Sequence, residues 1–98
     1  MKRTTSMIYR PTAESNELYI FANNEERIYR QMQDIEASLL KKVKKGVYDA
    51  DKAIDAFYYA MCEASKLYKK YFGYAFNVQD RFTAACDFAR EYTEEVTA

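Results

Sequence analysis

The apolar positions of this 98-residue chain recur with a helical period of about 3.6 residues in three consecutive stretches. The pattern predicts helices over approximately residues 24–45, 50–72 and 78–96. In each stretch the apolar side chains share one face, as expected of amphipathic helices around a common core. The three faces consist of Ile28, Met32, Ile35, Leu39 and Val43; of Ile54, Phe57, Tyr58, Met61, Ala64, Tyr68 and Phe72; and of Phe82, Ala85, Ala89, Tyr92 and Val96.

Polar and glycine residues at the ends of these stretches support the helix boundaries. Asn23 and Glu26 have the spacing of a capping box, with Asn in place of Ser or Thr, and predict the start of the first long helix. Asp49 predicts the cap of the second. Gly46 and Gly73 suit the left-handed position after a helix end. Acidic residues gather at helix starts and lysines at helix ends, which complements the helix dipole.

The N-terminal segment has a different composition. Residues 1–13 carry three basic residues, Lys2, Arg3 and Arg10, and the only proline, without any apolar period. We expect this segment to be a flexible basic arm. The following residues form a single helical domain, 14–98, in this interpretation.

Residues 14–23 allow two interpretations. Their apolar residues alternate as in a strand, but no second strand is predicted that could pair with one. A short helix over about residues 15–22, capped by Ser15 or Asn16, is therefore favoured. An edge strand that awaits a partner remains the alternative for residues 17–22.

The links between the three long helices are short, so that consecutive helices are expected to run antiparallel. The sequence thus predicts an all-α fold: a compact antiparallel three-helix bundle with a short additional N-terminal helical segment. A chain of 98 residues is long enough to bury a core as one domain.

Composition narrows the function. The 15 basic and 15 acidic residues cancel, so no overall field attracts nucleic acid or an anionic membrane. The chain has no histidine, which disfavours metal and general acid–base sites, and it has no apolar run long enough to cross a membrane. Cys62 and Cys86 lie within helical periods and are too few for a disulfide framework. We expect a cytoplasmic, non-enzymatic protein that needs neither cofactor nor metal.

Several apolar and aromatic residues lie away from the predicted core faces and are typical of interface anchors. The candidate anchors are Tyr29, Leu40, Tyr59 and Phe88. A possible electrostatic rim is formed by Lys41, Lys42, Lys44 and Lys45. Simpler explanations stay open for both features. A small bundle exposes some aromatic rings in any case, or covers them with its N-terminal segment. Lysines at a helix end complement the helix dipole without any ligand.

Three strings, ELYIFANNEERIYRQ, LLKKVKKGVYDADKAIDAF and KLYKKYFG, carry a resemblance to a known family. The shared pattern falls at residues 17–20, 23, 28–30, 41–49 and 52–53. It resembles an uncharacterised family of small helical proteins from bacterial phages and mobile elements. The likeness covers most of residues 17–73 and is loose in the C-terminal third, QDRFTAACDFAREY.

The resemblance implies an origin in a mobile element, where small proteins often act by binding host proteins, and it supplies no active site. The leading hypothesis is therefore a protein–protein interaction module that modulates a host protein, such as a component of a defence complex. The alternatives are a nucleic-acid-binding accessory protein that uses the basic arm and the lysines, and a protein that assembles with itself, for example as a homodimer.

Overall fold

The computed structural model describes residues 7–97, and the protein is all-α over that range. It contains four helices: α1 Ala13–Asn24, α2 Glu26–Lys45, α3 Ala50–Phe72 and α4 Val78–Thr97. Within this described part, no helix is both long and apolar enough to cross a membrane. The predicted all-α class is confirmed, and the bounds of α3 agree with the sequence pattern.

Hydrogen bonds confirm the predicted end of α2 and the predicted start of α3. Gly46 has a φ of 72°, and its N–H donates to the carbonyl of Val43 while that of Val47 donates to Lys42. Such paired bonds satisfy the last carbonyls of a helix and require the left-handed conformation that glycine adopts without strain. The carboxylate of Asp49 accepts the N–H groups of Asp51 and Lys52 at the start of α3.

The first helix differs from the prediction. It is a full element of 12 residues rather than a short segment over residues 15–22, and its cap is Thr12. The hydroxyl of Thr12 accepts the N–H of Ser15, and the hydroxyl of Ser15 accepts the N–H of Thr12, each at 2.9 Å. This reciprocal pair is a capping box in which Ser15 takes the place usually held by Glu or Gln. Residues 17–22 are helical and belong to no strand.

The predicted capping box at Asn23 and Glu26 is wrong, because Asn23 and Asn24 form the last turn of α1. One extended residue, Glu25, separates α1 from α2. Its N–H donates to the carbonyl of Phe21 at 2.9 Å, and its own carbonyl accepts the N–H of Tyr29 at 2.8 Å. The two helices therefore share one capping residue.

The segment before α1 also differs from the expected flexible arm. Residues 7–12 run beside α4. There the hydroxyl of the buried Thr83 accepts the N–H of Arg10 and donates to the carbonyl of Arg10, each at 3.1 Å. Met7 packs against the core. Residues 1–6, with Lys2 and Arg3, lie outside the described residues.

Each of the four helices packs against the other three, and one core lies between them. The Phe57 and Tyr92 rings stack at 5.3 Å, and the Tyr68 and Phe76 rings lie 4.7 Å apart. Phe57 belongs to the first half of α3 and Tyr92 to the second half of α4, so the start of α3 lies beside the end of α4. The radius of gyration, 13.0 Å, is that of a compact domain of this length.

Candidate functional site

Phe88 was predicted to be an exposed anchor, and the structure shows that this is wrong. Its side chain is 0% exposed and stacks on the ring of Tyr19 with 4.4 Å between ring centroids. The reason is the packing of α1, whose Tyr19 covers this flank of α4. The alternative explanation, that the N-terminal segment covers aromatic rings on the bundle, holds for Phe88.

The other three candidate anchors are exposed but do not share one surface. Tyr29 and Leu40 are each 40% exposed. They are separated by three turns of α2, about 16 Å along one stripe of the helix. Tyr59, 49% exposed, lies instead in a groove between α2 and α3. Of the α2 residues that line this groove, Ile28 is nearest to Tyr29 in sequence, and it lies about 100° around the helix from Tyr29.

The groove around Tyr59 carries more positive than negative charge. Arg27 and Gln31 line it from α2, and Lys66 and Lys70 from α3. Its one carboxylate, that of Glu63, lies 3.7 Å from the ammonium nitrogen of Lys66. Because that ion pair is largely exposed, it stabilises the fold little and leaves the lysine accessible.

The four lysines of the predicted rim, Lys41, Lys42, Lys44 and Lys45, are exposed in the last turns of α2. Their positions complement the negative end of the helix dipole. At least ten residues of α2, roughly 15 Å, separate them from the groove residue Gln31. The structure therefore does not place them around Tyr59, and they lie close in sequence only to Leu40 among the candidate anchors.

The largest aromatic surface was not predicted. It consists of six rings where the end of α3 meets α1 and the link to α4, and we call it the aromatic patch: Phe21, Tyr68, Tyr71, Phe72, Tyr74 and Phe76. Three members face solvent, with exposed fractions of 55% for Tyr71, 65% for Phe72 and 45% for Tyr74. A cluster of exposed rings on so small a domain marks an interaction surface more often than isolated exposed residues do.

The ring of Tyr68 contacts most of the other rings of the aromatic patch. Its ring centroid lies 5.1 Å from that of Phe21 in an edge-to-face arrangement, and 4.7 Å from those of Phe72 and Phe76. Its hydroxyl approaches a carboxylate oxygen of Glu17 at 3.4 Å. Partial desolvation, followed by the charge of Glu17, raises the pKa of Tyr68. The phenol therefore stays neutral and the rings form a preorganised base for the exposed members.

Carboxylates border the aromatic patch, whereas Lys70, which precedes Tyr71 in the chain, faces another side of α3. Glu14 and Glu17, on α1, line a hollow together with the rings of Tyr68 and Tyr74. Lys70 lines the groove of Tyr59 on another side of α3. Lys70 lies two positions after Tyr68, which corresponds to about 200° around the helix. The carboxylates and the lysine therefore lie on opposite sides of the end of α3.

The sequence contains a signal for the aromatic patch that the helical period hides. Tyr68 and Phe72 continue the apolar stripe of α3, so both were assigned to the core, whereas Phe72 is the most exposed ring of the patch. The string YKKYFGYAF, residues 68–76, has five aromatic residues among nine. Such a density around a helix-ending glycine exceeds what a stripe facing one core can bury.

A second set of polar contacts ties the N-terminal segment and α1 to α4. The Tyr9 hydroxyl donates to Asp87 at 2.6 Å, beneath the Arg90 guanidinium. The Tyr19 hydroxyl donates to Glu91 at 2.6 Å, and this hydrogen bond, helped by burial, raises the pKa of Tyr19 to about 12. These neutral-phenol contacts hold the elements together and present no activated nucleophile.

The remaining groups with catalytic or metal-binding potential occupy structural positions. Cys62 is buried in α3 and Cys86 is half-buried in α4. Asp49 is engaged as a helix cap. Within residues 7–97, no three Cys, Asp or Glu side chains converge as a metal site would require. Comparisons with protein-family models, with curated proteins and with solved structures find no match.

Proposed function

We propose that this protein is a non-enzymatic protein–protein interaction module that uses the aromatic patch as its main contact surface. The observation that carries the proposal is the exposure of three rings of one cluster, Tyr71, Phe72 and Tyr74, around the ring of Tyr68. Aromatic side chains bury about 150–250 Å² each, so these three leave roughly 300 Å² uncovered. Covering that area would contribute about 7 kcal/mol to association before the costs of binding.

The charges around the rings favour a protein over a nucleic acid. Exposed rings beside lysines can stack on bases, which supports the nucleic-acid alternative. However, Glu14 and Glu17 border Tyr74, one of the exposed rings, and would repel a phosphate backbone. A protein surface can match positive and negative charges at once. The net charge of zero points the same way.

The wider biological setting is also part of the proposal. The family resemblance supports an accessory protein of a phage or mobile element that binds a host protein in the cytoplasm, for example to inhibit a defence complex. The short links of the chain support an up–down–up order of α2, α3 and α4, which would leave α1 to cover one side of the bundle.

The test is affinity capture from a bacterial lysate, with and without nuclease, by the wild type and by Tyr71→Ser/Phe72→Ser/Tyr74→Ser. We expect the wild type to retain a defined protein under both conditions, and the variant to lose it. Val47→Ser, which changes an isolated exposed apolar residue, is the control and should bind as the wild type does. Capture that disappears on nuclease treatment would replace this proposal with the nucleic-acid alternative.

A further inference from the structure

One hollow at the edge of the aromatic patch combines aromatic walls with carboxylates. It is lined by residues of α1 and by three rings of the patch: Ala13, Glu14, Glu17, Tyr68, Tyr74 and Phe76. The three rings are inclined to one another by 60° to 83°, with 4.7 to 6.4 Å between their centroids. Phe76 is 3% exposed, whereas Tyr74 is 45% exposed. The hollow therefore runs from solvent at Tyr74 down to the buried ring of Phe76.

The charged side chains that line this hollow are both acidic. Glu14 and Glu17 are exposed and lie three positions apart in α1, so they share one side of that helix. The Tyr68 hydroxyl donates to a carboxylate oxygen of Glu17 at 3.4 Å, which keeps this carboxylate beside the ring. Among residues 7–97, no lysine or arginine lines the hollow. The hollow is therefore complementary to a positively charged group.

The combination of rings and carboxylates favours an organic cation over a metal ion. Calcium and magnesium require several converging oxygen ligands, and two carboxylates among aromatic rings do not provide them. An organic cation is attracted by aromatic rings as well as by carboxylates. The guanidinium group of arginine is planar, is more weakly hydrated than the ammonium group of lysine, and can donate two hydrogen bonds to one carboxylate. Arginine is therefore the cation that this hollow suits best.

The size and the position of the hollow indicate where the arginine comes from. Its volume of about 230 Å³ lies below the range of roughly 300–1,000 Å³ that is usual for small-molecule pockets, so it suits a single side chain. Tyr74 belongs both to the hollow and to the exposed rings of the aromatic patch, so a protein that covers these rings also reaches the hollow. Arginine is one of the residues enriched in such interfaces.

We propose that the hollow receives an arginine side chain of the protein that binds the aromatic patch. The guanidinium group lies against the ring of Tyr74 and pairs with the carboxylates of Glu14 and Glu17. This inference rests on the proposed function, because it names the chemistry by which the partner of the same patch is recognised.

The test is a titration of the ¹⁵N-labelled full chain with N-acetyl-arginine amide at low salt, followed by the chemical shifts of the backbone amides. Single contacts of this kind correspond to dissociation constants on the order of millimolar, so the titration extends to about 20 mM. N-acetyl-citrulline amide has nearly the same shape without the charge. We expect saturable shifts at residues 13–17 and 68–76 with the arginine derivative, and at least about fivefold weaker binding of the citrulline derivative.

Two variants separate the contributions of charge and of the aromatic ring. Glu14→Gln/Glu17→Gln keeps the shape of both side chains and removes both charges, and it should weaken binding of the arginine derivative by about five- to tenfold. Tyr74→Leu keeps an apolar side chain and removes the aromatic ring, and it should weaken binding by about threefold. Circular dichroism confirms that each variant is folded.

Each variant has a matched control outside the hollow. Glu26→Gln/Asp34→Asn removes two exposed carboxylates of α2, and Tyr71→Leu removes an exposed ring of the patch that does not line the hollow. Both controls should bind the arginine derivative as the wild type does. Wild-type binding that is absent at about 20 mM, or that is equal for arginine and citrulline, would overturn the inference. A lysine derivative that binds as tightly would overturn the assignment to arginine.

The lysate capture separates a failure of this inference from a failure of the proposed function. A partner that the wild type and Glu14→Gln/Glu17→Gln retain equally, and that Tyr71→Ser/Phe72→Ser/Tyr74→Ser loses, would overturn the arginine contact alone. A wild type that captures no protein would remove the proposed function, and the titration would still decide whether the hollow binds a guanidinium group.

Discussion

Replacement of Phe88 tests the packing of α1 against α4, because the ring of Phe88 is buried under Tyr19 of α1. The sequence pattern assigns it to the outside of α4, whereas in the fold it is fully buried beneath Tyr19 of α1. Replacement of a buried phenylalanine by alanine costs about 3–5 kcal/mol, through lost burial and the cavity that remains. We expect Phe88→Ala to lower the free energy of unfolding by about 4 kcal/mol, roughly a thousandfold in the folding equilibrium.

Urea denaturation followed by far-UV circular dichroism measures this loss. For a domain of this size, an m-value of about 1.5 kcal/mol/M converts the loss into a decrease of roughly 2–3 M in the transition midpoint. Tyr29→Ala, at an exposed position of α2, is the control and should change the stability by no more than about 0.5 kcal/mol. A double-mutant cycle with Tyr19→Ala should give a coupling of about 0.5–1.5 kcal/mol for the stacked pair.

The reasoning would be refuted if Phe88→Ala cost no more than Tyr29→Ala. Phe88 would then lie at the surface in solution, as its position on the helical pattern indicates, and α1 would not cover α4. A large loss without coupling to Tyr19 would instead show that Phe88 is buried by other neighbours.

Three further predictions concern individual contacts. The fold raises the pKa of Tyr19 from 10.0 to about 12, so the stability that this shift contributes is fully present below pH 10 and is lost as the pH rises through about 12. Discounted for partial exposure, this contribution is about 1 kcal/mol. The free energies of unfolding of the wild type and of Tyr19→Phe, measured in urea from about pH 9 to 12, should converge by that amount. Gly46→Ala should destabilise the protein by about 1–2 kcal/mol through backbone strain at a φ of 72°. The added methyl group meets no other atom, so a steric clash does not contribute. An unchanged melting temperature would contradict this prediction. Thr83→Val should accelerate hydrogen exchange at the amide of Arg10, whose acceptor it removes, and protection equal to that of the wild type would show that another group anchors the segment.

The elements whose signals are local could be predicted from the sequence. The bounds of α3 follow from the cap at Asp49 and the glycine at Gly73, which act through neighbouring backbone groups alone. The amphipathic stripes likewise predicted the core positions Ile28, Met32 and Leu39. Such features depend on a residue and its nearest neighbours in the chain, and they are independent of which element packs where.

The features that depend on distant partners could not be predicted in this way. Thr12 caps α1, but its hydroxyl also donates to Asp80, 68 residues away, and nothing in the local sequence favours it over Ser15. Phe88 is buried because α1 packs against α4 and places Tyr19 on its ring. The aromatic patch combines Phe21 of α1 with rings of α3, so that only the packing of the two helices brings its members together.

The contacts of residues 8–12 with α4 have a consequence for synthesis on the ribosome. The carbonyl of Ile8 accepts a hydrogen bond from Gln79, and Tyr9 reaches Asp87, 78 positions further along the chain. Translation proceeds at about 5–20 residues per second, so the first of these residues waits several seconds before its partner exists. The N-terminal segment, and the face of α1 that α4 covers in the fold, must therefore remain unpaired in the nascent chain until α4 has left the exit tunnel. During that interval the faces of α1 and α3 that later pack against α4 are open to chaperones and proteases.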